Sequence, residues 1–208
     1  MQSSNKSLKF AALAAATALA TLAVSTSALA ADGVRVRGTV ASISGDTLVV
    51  KSREGADVSI KLGLGWKAGG IAKAKLGDIK QGDFVGIASL PGATGPDGAL
   101  EVLIFPPAMR GTGEGSYGWD LKPNSSMTNG AVSEAVQSVD GTTVNVVYHG
   151  QSKKIAIAPN TPIVTFAPAV NADVKPGAAV FVPADRAADG KLSTTRVVVG
   201  KDGVVPPM

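Results

Sequence analysis

The chain has 208 residues, 45% of them hydrophobic and only 4% aromatic, with 20 basic against 16 acidic residues and no cysteine. A net charge of +4 without a clustered basic run excludes the strong positive field that nucleic acid requires. The lack of thiols excludes disulfides, thiolate metal centres and a lipid-bearing cysteine, so packing alone must hold the fold.

The first thirty residues read as a signal peptide. Lys6 and Lys9 give a basic start, Phe10 to Val24 an apolar stretch, and Ala28-Leu29-Ala30 a small-residue cleavage site. That stretch is too short and too threonine-interrupted to read as a membrane anchor, and no later run approaches the ~20 apolar residues of a span. Cleavage after Ala30 leaves 178 residues starting at Ala31, with 18 basic against 16 acidic side chains and a net charge of +2. A periplasmic or secreted location is expected, with no integral membrane span after cleavage. A chain of this size buries about 70% of its unfolded surface, enough for a core.

Beyond residue 33 the hydrophobic period is two, the mark of strands. Val34, Val36 and Val40 share one face of a first strand, and Ser44-Gly45-Asp46 turns into a second over Thr47 to Ser52. Arg53-Glu54-Gly55 turns again, and Val58, Ile60 and Leu62 mark the third. An irregular connection is expected from Gly63 to Lys80, carrying Trp66 and one helical turn near Ala72 to Leu76. Asp83 to Leu90 and Ala99 to Phe105 read as the fourth and fifth strands, with the turn-rich Pro91 to Gly98 between them.

The second half repeats this order. Val40 to Gly45 corresponds to Val136 to Gly141, Asp78 to Val85 to Asp173 to Val180, and Asp97 to Leu100 to Asp189 to Leu192. The offsets of 96, 95 and 92 are constant enough to indicate a duplication. The spacing of Ala131, Val132, Ala135, Val136 and Val139 suits a helix, yet their alignment with the first strand makes them a strand. Thr142 to Tyr148, Lys153 to Ala158, Ala178 to Val182 and Lys191 to Val199 complete the second copy.

Five short strands per copy suggest an all-β fold of two tandem, small, five-stranded OB-like barrels. The boundaries expected are 1–30 for the signal peptide, 31–107 for the first barrel, 108–128 for a Gly-rich connector and 129–208 for the second barrel. A β-sandwich or SH3-like pair is the alternative architecture. Phe84, Val85, Ile87, Val180, Phe181 and Val182 are the expected core of the matching fourth strands.

Val-Arg-Gly-Thr-Val near the start, Asp78 to Val85, Phe105 to Gly115 and the ending Val199 to Met208 resemble a family of small exported bacterial proteins grouped with OB-like domains of unknown function. Some of its members carry a metal-transporter permease label, which conflicts with the lack of a spanning segment here. The resemblance covers essentially the whole mature chain and implies no catalytic residue.

The connector holds the least ordinary chemistry. Gly113, Gly115 and Gly118 have the G-x-G-x-x-G spacing of a dinucleotide turn, but Pro123 leaves no room for the helix that must receive the pyrophosphate. The glycines are better read as permitting positive φ. Arg110, Glu114, Tyr117, Trp119 and Asp120 gather charge and aromatic rings on one loop, the material of a ligand or partner surface. The plainer reading has Tyr117 and Trp119 cover an apolar seam between barrels while Arg110 pairs with Glu114.

His149 is the sole histidine and falls in a hairpin turn, and no serine lies in a nucleophile elbow. Asp57, Asp97 and Asp189 fall at turns, where aspartate hydrogen-bonds its own backbone, while Asp78 and Asp83 flank the turn before the fourth strand and Asp173 matches Asp78. Met109 and Met127 read as packing rather than soft-metal ligands. No metal or cofactor is expected. Strands two and three lack aromatic platforms for nucleic acid, apart from Tyr148. The expectation is an exported, non-enzymatic binding module facing an envelope protein or glycan. The alternative is a hydrolase or metal-dependent enzyme centred on Glu114, Asp120 and His149. Ligand identity and oligomeric state are not legible.

Overall fold

A computed structural model describes residues 32–138 and 141–207; the expected signal peptide and Val139 lie outside them. The described chain is all-β, interrupted by single 3-10 turns at Leu76–Asp78, Pro107–Met109 and Asn171–Asp173. Its strands are β1 (Asp32–Ser44), β2 (Thr47–Ser52), β3 (Asp57–Lys73), β4 (Phe84–Leu90), β5 (Asp97–Ile104) and β6 (Gly115–Gly118). They continue with β7 (Ser126–Ser138), β8 (Gly141–Tyr148), β9 (Gln151–Ile157), β10 (Ile163–Ala167), β11 (Ala179–Arg186) and β12 (Leu192–Gly200).

β1, β2, β3, β12 and β11 close a five-stranded barrel. All its contacts are antiparallel except the parallel ladder between β3 and β12. Closure leaves no reactive edge within the barrel. Alternation sets its interior: Val36, Val40, Leu48, Val50, Ile60, Val182 and Val199 point inward, while Arg35 and Arg37 take the opposite face of β1. The pairings of β4, β5, β9, β8 and β7 also return on themselves, through a short parallel contact of Asp97 and Gly98 with Ile155 and Ala156. Val85, Ile87, Val102, Val144 and Ile155 fill that ring.

Each ring therefore takes three strands from one half of the chain and two from the other. This differs from the tandem arrangement expected with contiguous units at 31–107 and 129–208. Local strand patterns cannot distinguish the two, because a strand pairs equally well with either copy of its partner. β10 is not among the strands expected from the sequence; it pairs antiparallel with β3 and parallel with β5, so one sheet runs through both rings.

The stretch expected to be irregular after Gly63 is mostly strand. β3 extends to Lys73 because β12 and β10 supply ladder partners for Lys67 to Lys73. Its glycines permit that approach: a Cβ on Gly70 would sit 2.7 Å from the Ala167 carbonyl oxygen. Residues 63 to 66 bulge out, with Gly65 at φ +70° and the Leu64 side chain in solvent. The helical turn forms at Leu76–Asp78, later than expected.

A third apolar cluster lies between the rings and contains Ile71, Phe84, Leu103, Phe105, Val164, Phe181 and Val198. Phe84 and Phe105 meet edge-on at 5.4 Å between ring centroids, and Phe105 reaches Phe166 at 5.6 Å. Phe84 and Phe181 are buried as expected, at 4% and 7% exposure, but they form the seam rather than the ring interiors. Among the described residues, no helix is long and apolar enough to cross a membrane.

Candidate functional site

The connector forms structure of its own. β6 pairs antiparallel with the start of β7, bringing Tyr117 opposite Met127 and Gly118 opposite Ser126. The chain then folds around the buried Ser125. Trp119 donates its backbone N–H to the Ser125 carbonyl at 2.8 Å, and Lys122 N–H donates to the Ser125 hydroxyl at 3.2 Å. Asn124 takes the left-handed turn position at φ +62°, which asparagine tolerates better than most residues. Trp119 and Asp120 are thus presented from a loop closed by its own hydrogen bonds.

What they meet is the outward face of β1. Arg37 grips the Asp120 carboxylate with both terminal nitrogens, Nη2 to Oδ1 at 2.8 Å and Nη1 to Oδ2 at 3.2 Å, while Arg35 Nη1 lies 3.9 Å from Oδ1. A two-pronged guanidinium–carboxylate pair fixes orientation as well as distance. The Arg35 guanidinium stacks 4.0 Å from the centroid of Trp119, and Tyr117 meets that ring edge-on at 6.1 Å. Arg37, only 7% exposed, also lies 5.2 Å from the Phe181 ring, which links this surface to the seam. Arg53 donates from Nη2 to the Asp120 carbonyl at 3.2 Å, tying the loop to the turn after β2. Burial alone would raise the Asp120 pKa, but the hydrogen bond and charge of Arg37, with Arg35, hold it below the ordinary carboxylate value.

Beneath this surface lies Glu101. Val102 and Ile104 of β5 face the ring interior, so Glu101 and Leu103 face the seam side. Glu101 is 3% exposed and its Oε1 has no hydrogen-bond partner. Burial pushes its pKa up to about 7, against the lowering pull of Arg37 and Arg53; Asp120 pushes it further up. Trp119 Nε1 is likewise buried without a partner. A cleft of about 820 Å³ adjoins the group, with Arg37, Lys51, Arg53, Glu101, Leu121 and Lys122 in its lining.

The other expected site residues go elsewhere. Arg110 donates both terminal nitrogens to the Gly82 carbonyl at 3.0 Å and does not pair with Glu114. Glu114 Oε1 instead accepts the backbone N–H of His149 at 2.9 Å. His149 and Gly150, at φ +44° and +75°, form the two-residue turn between β8 and β9. Glu114 and His149 are therefore neighbours, whereas Asp120 is held by the arginines of β1. Tyr117 and Trp119 do not cover the apolar seam. Phenylalanines fill it, and Trp119 packs on the guanidinium group of Arg35.

Asp189 accepts the backbone N–H of Lys191, the turn role expected of it, whereas Asp97 forms an ion pair with Lys153 at 2.8 Å. Asp78, Asp83 and Asp173 accept the backbone N–H groups of Lys75, Lys80 and Val170. Met109 packs on the seam, and Met127 is buried. Among the described residues, no group of three histidine or acidic side chains is placed to hold a metal. Arg35, Arg37 and Glu101 were missed. Their signals were present: Val34-Arg35-Val36-Arg37 puts two guanidiniums on one strand face, and Glu101 is the lone charge in the apolar run Leu100 to Phe105. Comparison of the chain with family models, with curated proteins and with solved structures finds no match.

Proposed function

We propose that the mature chain is an exported, non-enzymatic binding module, periplasmic or secreted, that engages an envelope protein or glycan. The observation that carries this reading is the platform of Trp119 and Tyr117 with Arg35 stacked on the indole and Asp120 locked by Arg37. An amphipathic ring beside fixed cations offers a partner both contact area and charge without first needing to be ordered. The enzyme reading requires Glu114, Asp120 and His149 to converge. Glu114 meets His149 only through a backbone N–H, and Asp120 has its own cationic partners, so the geometry favours binding.

The wiring also favours an OB-like ancestry. In each ring the first three strands of one repeat join the last two of the other, with the single parallel contact between third and fifth. Exchange of strands between two duplicated OB-like barrels would produce this order, in keeping with the resemblance to small exported proteins of OB-like type.

The test is affinity capture from envelope extracts with residues 31–208. Trp119→Ala and Tyr117→Ala are expected to keep the fold by circular dichroism while losing the retained partner. Equal capture by the parent and both variants would refute the platform.

A further inference from the structure

The cleft beside the platform has needs that the described protein atoms leave unmet. Four cations line it: Arg37, Lys51, Arg53 and Lys122. Two are matched by acids, Arg37 by Asp120 and Arg53 by Glu54 at 2.7 Å. Lys51 and Lys122 are exposed and make no ion pair among the described residues. In the wall is Glu101, more than nine-tenths buried, with one carboxyl oxygen that no donor reaches. A buried polar atom without a partner costs ~1–3 kcal/mol, so its persistence calls for a purpose. The complement of this cleft is an anion for two ammonium groups and a hydrogen-bond donor for Glu101, joined by a body that can lie against Leu121 and the exposed Val205.

We propose that the cleft binds an acidic oligosaccharide, a uronic-acid chain whose carboxylate meets Lys51 and Lys122 while a sugar hydroxyl donates to Glu101. A uronic acid carries carboxylate, hydroxyls and an apolar C–H face on one ring. A neutral sugar lacks the anion, and free phosphate lacks the body. The volume of about 820 Å³ is in the upper part of the range of small-molecule pockets and admits more than one sugar ring. Arg37 both lines the cleft and lies 5.8 Å from the Trp119 ring, so a longer chain leaving the cleft passes onto the platform. This inference rests on reading the chain as a binding module and names the ligand class of that same site.

Isothermal titration of residues 31–208 with trigalacturonate, maltotriose and inorganic phosphate separates the possibilities. Trigalacturonate is expected to bind, with affinity falling as salt rises, and maltotriose to give no heat. Replacing both Lys51 and Lys122 by alanine should weaken trigalacturonate by about tenfold or more, as loss of charge-assisted hydrogen bonds implies. Both side chains are exposed, so the double variant is expected to melt like the parent. Glu101→Leu removes the acceptor without leaving a buried charge; it should also weaken binding about tenfold without lowering the melting temperature. No heat with trigalacturonate, equal affinity in the double lysine variant, or phosphate binding as tightly would each overturn the inference. So would unchanged affinity in Glu101→Leu, since the carboxyl would then have no part in recognition. If platform variants lose envelope capture while the parent ignores trigalacturonate, the ligand class is wrong and the binding-module reading stands.

Discussion

Glu101→Gln should make the protein more stable at alkaline pH, although it removes a charge from beside two arginines. The carboxyl is 3% exposed, and burial raises its pKa from an ordinary 4.5 to about 7, despite Arg37 and Arg53. In that interval the folded state holds a proton that the unfolded chain has released. The contribution is therefore fully favourable below about pH 4.5, falls as pH rises, and levels off above about pH 7. With about 1.4 kcal/mol for each tenfold change in proton affinity, the fall amounts to roughly 3 kcal/mol. Glutamine keeps the shape and cannot ionise, so this component vanishes. Urea unfolding of both proteins at about pH 5 and pH 8 isolates it, because every other titrating group is common to the pair and cancels in the difference. The variant should gain on the parent by ~2–3 kcal/mol between those values, or several degrees of melting temperature for a chain of this size. A difference that stays flat would show that Glu101 is solvated or paired in solution, and the argument from its burial would fail.

Phe84→Ala and Phe181→Ala each remove a ring from the seam and should cost ~3–5 kcal/mol in urea unfolding; melting like the parent would place both rings outside a packed contact. Gly70→Ala should destabilise by ~1–3 kcal/mol, because its methyl would meet the Ala167 carbonyl oxygen at 2.7 Å, and an unchanged midpoint would argue against the β3–β10 pairing. Trp119→Ala should cost only ~1–2 kcal/mol, since its ring rests on Arg35 rather than in the seam; a loss as large as that of Phe84→Ala would return Trp119 to the core. Intact-mass measurement of exported protein should find Ala31 at the amino terminus, and retention of Met1 would refute the signal-peptide reading.

Strand content was legible because a period of two survives wherever one strand face is buried, as at Val34, Val36 and Val40 or Leu48 and Val50. Turns were legible for the same local reason: His149-Gly150 and Gly45 carry the positive φ that their positions demand. The connector stands out by its glycines and aromatics, and its Trp119 and Asp120 meet Arg35 and Arg37 of β1. Which strands pair was decided only in three dimensions. The contact of β3 with β12, more than a hundred positions away, turned an apparently irregular glycine stretch into strand, and β10 became the bridge between rings. The partners of Trp119 were hidden likewise. Arg35, Arg37 and Glu101 sit on strand faces that alternation assigns to solvent, and only the second ring and the connector folded over them make those faces an interior. Periodicity records which residues leave water within one strand, but a buried charge owes its environment to strands distant in sequence.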